Sequence, residues 1–164
     1  SIGAFIAADA DVILFLRYNM RSQIFAKSLP MLLVEGALKR LDMLRSKPEL
    51  KENLWKIVHA LRKGLHENGF STGKSNSPVT PVVLNGTVGE AAALSMDLRE
   101  NFGIFCSVVI YPVIPKGMII LRLIPTAVHT LDDVNLTVKA FAAVKDKLIS
   151  GVYKNSELAL SFGE

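Results

Sequence analysis

A small α/β layer is the fold class predicted for the second half of this sequence: about three strands, largely antiparallel, covered on one face by helices and entered through a long linking helix. Three observations predict it. The clearest helical periodicity in the chain stops at Gly69, the residues after it alternate extended apolar runs with capped helical ones, and two strong apolar runs are separated by a short Pro- and Gly-containing connection.

Taken in order, residues 3–8 suit a short buried strand, and Asp9 is placed to cap an apolar helix over residues 10–19. A connector covers residues 20–29. Ser28 ahead of Leu29-Pro30 has the cap and early-proline arrangement that starts helices, and Leu33, Ala37, Leu38, Leu41 and Leu44 carry that helix to about Arg45. Pro48-Glu49 opens the long helix, in which Leu50, Leu54, Ile57, Val58, Leu61 and Leu65 recur at helical spacing. Beyond Gly69, Gly73-Lys74-Ser75-Asn76-Ser77 is turn-rich and residues 79–84 are extended and apolar. Thr87-Val88-Gly89-Glu90 is a capping box for a helix that Gly103 ends. Residues 104–111 and 118–124 are the two strong strands, and Thr130 caps a last helix with Val134, Val138, Phe141 and Leu148 on one face.

Composition bounds the function classes. A chain of 164 residues, 50% hydrophobic and 21% charged, is globular in character. Its mean hydropathy of +0.34 is high, yet its strongest apolar run, residues 118–124, is far short of a membrane span and contains Arg122. Such an apolar chain is expected to cover surface against a second copy or a companion domain. The net charge of +4 does not indicate nucleic-acid binding, because the basic residues between Lys39 and Lys63 are interleaved with Glu35, Asp42, Glu49, Glu52 and Glu67. The single cysteine, Cys106, lies in an apolar run with no activating base nearby and reads as a small buried hydrophobe in a reducing, cytoplasmic compartment. The opening Ser1-Ile2-Gly3-Ala4 has neither an initiator Met nor the pattern of a signal peptide, so the chain is expected to continue something upstream.

The common self-contained catalytic signatures are absent. No paired Cys or His has metal-ligand spacing, no glycine-rich loop precedes a lysine, and there is no Gly-x-Ser-x-Gly turn. His59 and His66 read as solvated or interface residues, and His129 as a histidine hydrogen-bonded near a helix start. Arg122 stands apart: Leu121-Arg122-Leu123-Ile124 sets a guanidinium in an apolar strand, where it needs an anion. An internal Asp or Glu and the carboxylate of a ligand both satisfy that need, and the planar fork of arginine suits the second.

Three segments together resemble a known family. Ile24-Phe25-Ala26-Lys27-Ser28-Leu29-Pro30, Tyr111-Pro112-Val113-Ile114-Pro115-Lys116-Gly117 and Leu121-Arg122-Leu123-Ile124-Pro125-Thr126-Ala127-Val128-His129-Thr130 resemble the C-terminal part of the α-oxoamine synthases, most of all the bacterial serine palmitoyltransferase type. The resemblance implies the C-terminal small domain of a fold-type I pyridoxal-phosphate enzyme. Residues 1–30 would be the end of the large cofactor-binding domain, 31–68 linking helices, 69–150 the small α/β domain and 151–164 a tail. It also implies pyridoxal 5'-phosphate as cofactor, an amino acid (serine favoured) and an acyl-CoA as substrates, and a homodimer located in the cytoplasm or at the membrane periphery. The alternative products are those of 2-amino-3-ketobutyrate CoA ligase or 8-amino-7-oxononanoate synthase; a different class altogether is a non-catalytic interaction domain.

By the same resemblance, the Schiff-base lysine lies shortly upstream of Ser1, so no residue of this chain is catalytic. Arg122 grips the substrate carboxylate. Pro112, Pro115, Lys116 and Gly117 belong to a loop over the active site. Ala26, Lys27 and Ser28 match a segment that reaches the cofactor phosphate across the dimer, although Ala26 stands where many members carry a hydroxyl.

Overall fold

The computed structural model describes residues 2–154 and 156. The chain forms two compact units, Ser1–Pro48 and Glu49–Glu164. The first holds three helices, α1 (Ala10–Asn19), α2 (Arg21–Phe25) and α3 (Met31–Ser46). None of these helices contains a buried residue.

Two expectations for this unit need correction. Residues 3–8 form no strand and are exposed, because an apolar extended segment becomes a strand only where a neighbouring strand takes up its backbone N–H and C=O groups. Among the described residues nothing pairs with them. Ser28 does not cap α3; the N-cap position falls on Pro30, extended at φ −55° and ψ 137°, and carries no side-chain cap. Two residues earlier in an extended chain, the Ser28 hydroxyl stands too far back to reach the first free N–H groups of the helix. Asp9 does occupy the N-cap of α1, without a side-chain hydrogen bond.

The second unit is the α/β layer. It runs α4 (Pro48–Glu67), β1 (Thr80–Asn85), α5 (Val88–Phe102), β2 (Ser107–Val109), β3 (Met118–Leu123) and α6 (Leu131–Ile149). β3 is central and antiparallel to both neighbours, in the order β1-β3-β2. β2 is much shorter than the apolar run 104–111 suggests. Pairing in register with β3 is confined to Ser107, Val108 and Val109.

Strand alternation divides the sheet into two faces. On one, Thr80 and Val82 of β1 lie opposite Leu123 and Leu121 of β3, and all four are buried. They join a core formed with Ile57, Leu61 and Leu65 of α4, Leu94 and Leu98 of α5, and Phe141 and Val144 of α6. Phe70 meets Phe141 edge to face at 5.4 Å. The other face carries Pro81, Val83, Ser107, Val109, Ile120 and Arg122.

Helix ends are set as the sequence indicates. Thr87 and Glu90 form a reciprocal capping box on α5, Gly103 ends that helix at φ 67°, and Thr130 with Asp133 forms a second box on α6. No helix among the described residues is long and apolar enough to cross a membrane.

Candidate active site

Arg122 is the fifth residue of β3, and period-two alternation fixes its direction. Ile119, Leu121 and Leu123 take the core face, so Met118, Ile120 and Arg122 take the other. The expected burial of the guanidinium is therefore corrected: Arg122 is exposed. Its cross-strand neighbours are Pro81 on β1 and Ser107 on β2. Its Nε donates a 3.0 Å hydrogen bond to Ser107 Oγ. The acidic side chains that form ion pairs among the described residues do so with Lys39, Lys63, Arg99 and Lys147, never with Arg122. Among the described residues no internal carboxylate is paired with this guanidinium.

Arg122 and Ser107 border a cleft of about 440 Å³, whose other walls include Ile57 and Leu61 of α4, Phe105, Leu123, Ile124, and Val134 and Leu136 of α6. The lining is mostly apolar around a single guanidinium. His129 and Asp133 also border it. The Thr126 backbone N–H donates to His129 Nδ1 at 2.9 Å; a neutral ring so engaged carries its proton on Nε2. The Asp133 carboxylate accepts hydrogen bonds from the Thr130 backbone N–H and hydroxyl, which hold its pKa below the usual carboxylate value. The turn after β3 is fastened to α4 by the Asn53 side-chain amide, which donates to the Ala127 carbonyl.

The remaining sequence candidates are placed elsewhere. Pro112, Pro115, Lys116 and Gly117 lie in the exposed or half-exposed connection before β3. Arg122 is five residues beyond Gly117, roughly 17 Å at strand rise, and the loop does not line the cleft. Gly117, at φ 89°, lets the chain turn into β3. Ala26, Lys27 and Ser28 follow α2 in the first unit and are exposed. Ala26 has no side-chain donor, and its backbone N–H is already given to Ser22 O at 3.2 Å. Lys27 and Ser28 therefore hold the donors that this segment can offer a phosphate.

Cys106 is buried, and that burial pushes its thiol pKa up, against a smaller lowering by a hydrogen bond with Ser95. His59 stacks on Trp55 and His66 bonds the Thr72 hydroxyl at 2.7 Å.

Three structural residues escaped sequence reasoning. Arg62 holds the turn-rich segment through Ser75 O and Ser77 O at 2.8 and 2.5 Å. Asp97, on α5, receives Lys147 at 2.7 Å and the Tyr153 hydroxyl at 2.6 Å. Ser107 bonds Arg122. A lone hydroxyl inside the apolar run Phe105-Cys106-Ser107-Val108-Val109 was the available signal for the last.

Comparison with known proteins identifies the lineage. The family described as aminotransferase class I and II matches residues 1–141. The chain is 54% identical to cysteate-C-fatty acyltransferase of Capnocytophaga ochracea over 99% of its own length and 39% of that protein. It is 33% identical to serine palmitoyltransferase of Sphingobacterium spiritivorum, over 88% of this chain and 36% of that one. The solved structure of Sphingomonas wittichii serine palmitoyltransferase superposes with a TM-score of 0.69 at 26% identity, covering 84% of this chain and 35% of that one. The chain thus spans less than two-fifths of the length of these relatives. It belongs to the aminotransferase class I and II family and corresponds to the C-terminal part of its α-oxoamine synthase members.

Proposed function

We propose that this chain is the carboxylate-binding part of a pyridoxal-phosphate-dependent C-acyltransferase, which joins the α-carbon of an amino acid to the acyl group of an acyl-CoA and releases CoA and CO2. Arg122 carries the reading: an exposed guanidinium without an acidic partner among the described residues, bordering a mostly apolar cleft. A carboxylate bound there receives two parallel N–H donors, which fixes both its place and its plane. The role is binding and orientation; a guanidinium stays protonated and moves no proton.

Bound pyridoxal phosphate supplies an electron sink for the substrate α-carbon. On this chain the Lys27 ammonium and the Ser28 hydroxyl are the groups that suit its phosphate, reached from a second copy in a homodimer. The Schiff-base lysine and the acid and base groups belong to the rest of the enzyme, upstream of Ser1. In that arrangement residues 1–30 are the end of the large domain, residues 31–68 the linking helices, and residues 112–117 a loop over the assembled site.

The amino acid is better read as cysteate than as serine, since identity to the cysteate-C-fatty acyltransferase is 54% against 33% for the serine palmitoyltransferase. Cysteate and serine share the α-carboxylate that Arg122 would hold and differ only at the β-carbon.

The test is made in the complete enzyme. Arg122→Ala should raise KM for the amino acid about 10- to 100-fold, the equivalent of losing hydrogen bonds to a charged group, and leave KM for the acyl-CoA unchanged. Arg122→Lys should recover only part of the loss, because a point charge does not reproduce the fork. An unchanged amino-acid dependence in Arg122→Ala would remove the reading. Turnover with serine at the expense of cysteate would return the substrate to serine.

A further inference from the structure

Ser107 and Arg122 face each other across β2 and β3 in register, and Pro81 stands on the other side of Arg122. Proline has no side-chain hydrogen-bonding group. On this face of the sheet, Val83, Val109 and Ile120 are apolar, so Ser107 is the one neighbour in the pleat able to engage the guanidinium. It does so at Nε, at 3.0 Å.

We propose that Ser107 is a positioning residue for Arg122, which holds the guanidinium by Nε so that Nη1 and Nη2 alone are presented to the substrate carboxylate. The inference rests on the carboxylate-binding role proposed above. A carboxylate can approach a guanidinium end-on, across Nη1 and Nη2, or side-on, through Nε and one Nη. Ser107 occupies Nε and thereby closes the side-on approach. It also restrains a long side chain that on an exposed strand face would otherwise sample many rotamers, so that less order has to be imposed when substrate arrives. Ser107 is half-buried and directly opposite its partner, and the backbone pairing on both sides of Arg122 keeps the two side chains in place. The hydroxyl accepts from Arg122, which leaves its own proton free to be donated elsewhere.

The test compares Ser107→Thr with Ser107→Val in the complete, cofactor-loaded enzyme, because the two side chains have nearly the same shape and differ in the hydroxyl. Both are β-branched and suit a strand. KM and kcat are measured with cysteate and with serine, and the dissociation constant of each amino acid is measured by calorimetry. Ser107→Thr should stay within about threefold of the parent, whereas Ser107→Val should weaken amino-acid binding and raise KM roughly tenfold, with kcat changed by no more than about twofold. In an Arg122→Ala background the Val substitution should have no further effect.

Equal binding by the Thr and Val variants would overturn the proposal, as would a loss confined to kcat. Arg122→Ala, run in parallel, separates the two layers of the argument. If it weakens binding while Thr and Val do not differ, only the role of Ser107 falls; if it leaves binding unchanged, the carboxylate site and its positioning residue fall together.

Discussion

The two units of this chain handle apolar residues in opposite ways. In Ser1–Pro48, Phe5, Tyr18, Phe25 and Leu32 are 91, 76, 74 and 79% exposed. In Glu49–Glu164, Leu65, Val82, Leu98, Leu121 and Val144 are wholly buried. Helix formation is common to both, so local propensity does not separate them. What separates them is the sheet within the second unit: α4, α5 and α6 close over β1-β3-β2, while α1, α2 and α3 contain no fully buried residue. Most helical stability in proteins comes from such packing rather than from propensity. Apolar side chains left outside a core on this scale are characteristic of surfaces that meet a partner.

The sharpest way to break the comparison is to truncate one phenylalanine in each unit. Phe141→Ala removes a fully buried ring that meets Phe70 and should cost about 3–5 kcal/mol. Phe25→Ala, at an exposed position, should stay within about 0.5 kcal/mol. Denaturant unfolding of the 164-residue chain measures both, and similar losses would mean that the first unit has a core of its own.

A second pair uses one substitution with opposite signs. A Cβ added at Gly64 in α4 would come within 2.5 Å of Val138 Cγ2 and 3.2 Å of its Cγ1 on α6. Valine is stiff at χ1 and yields poorly, so Gly64→Ala should destabilise by about 1–3 kcal/mol through overpacking. At Gly36 in α3 the nearest atom is Arg40 Nη1 at 3.5 Å, an ordinary contact. Gly36→Ala should therefore stabilise by about 0.5–1 kcal/mol through helix propensity. Shifts in the unfolding midpoint decide the signs.

The smallest effect sharpens the account of how the second unit holds together. Burial of the Asp97 carboxylate works to raise its pKa, but hydrogen bonds from Lys147, Tyr153 and Asn101 outweigh it and leave the value below the ordinary 3.8. A carboxylate with a lower pKa folded than unfolded contributes stability that is complete above the unfolded value and fades as pH falls through the folded one. Asp97→Asn should thus cost about 1–2 kcal/mol at neutral pH, and its deficit should shrink below about pH 4. Stability measured against pH checks this; a deficit that persists unchanged in acid would assign the loss to packing. The Tyr153 hydroxyl, pushed up by burial and by the same carboxylate, stays protonated and keeps donating throughout that range.

Periodicity and caps were legible because both are local. The spacing of Ile57, Val58, Leu61 and Leu65, the boxes at Thr87 and Thr130, and the stop at Gly103 each depend on neighbours within one or two turns, and each is found in place. The short strand expected at residues 3–8 depended on a distant pairing partner, and the capping role of Ser28 on where the extended turn before α3 ends; neither could be read from the local pattern. The Asp97, Lys147 and Tyr153 cluster joins residues 50 and 56 positions apart, beyond any window of sequence.

At the candidate site the sequence by itself determined that an arginine stands in an apolar strand and that its surroundings resemble the α-oxoamine synthases. Which face that arginine takes, and which side chains flank it, was decided only by the tertiary structure. Alternation turned Arg122 away from the core, register set it between Pro81 and Ser107, and neither neighbour carries a charge. An alternating strand has two faces, and one residue's identity does not say which face the rest of the fold will cover.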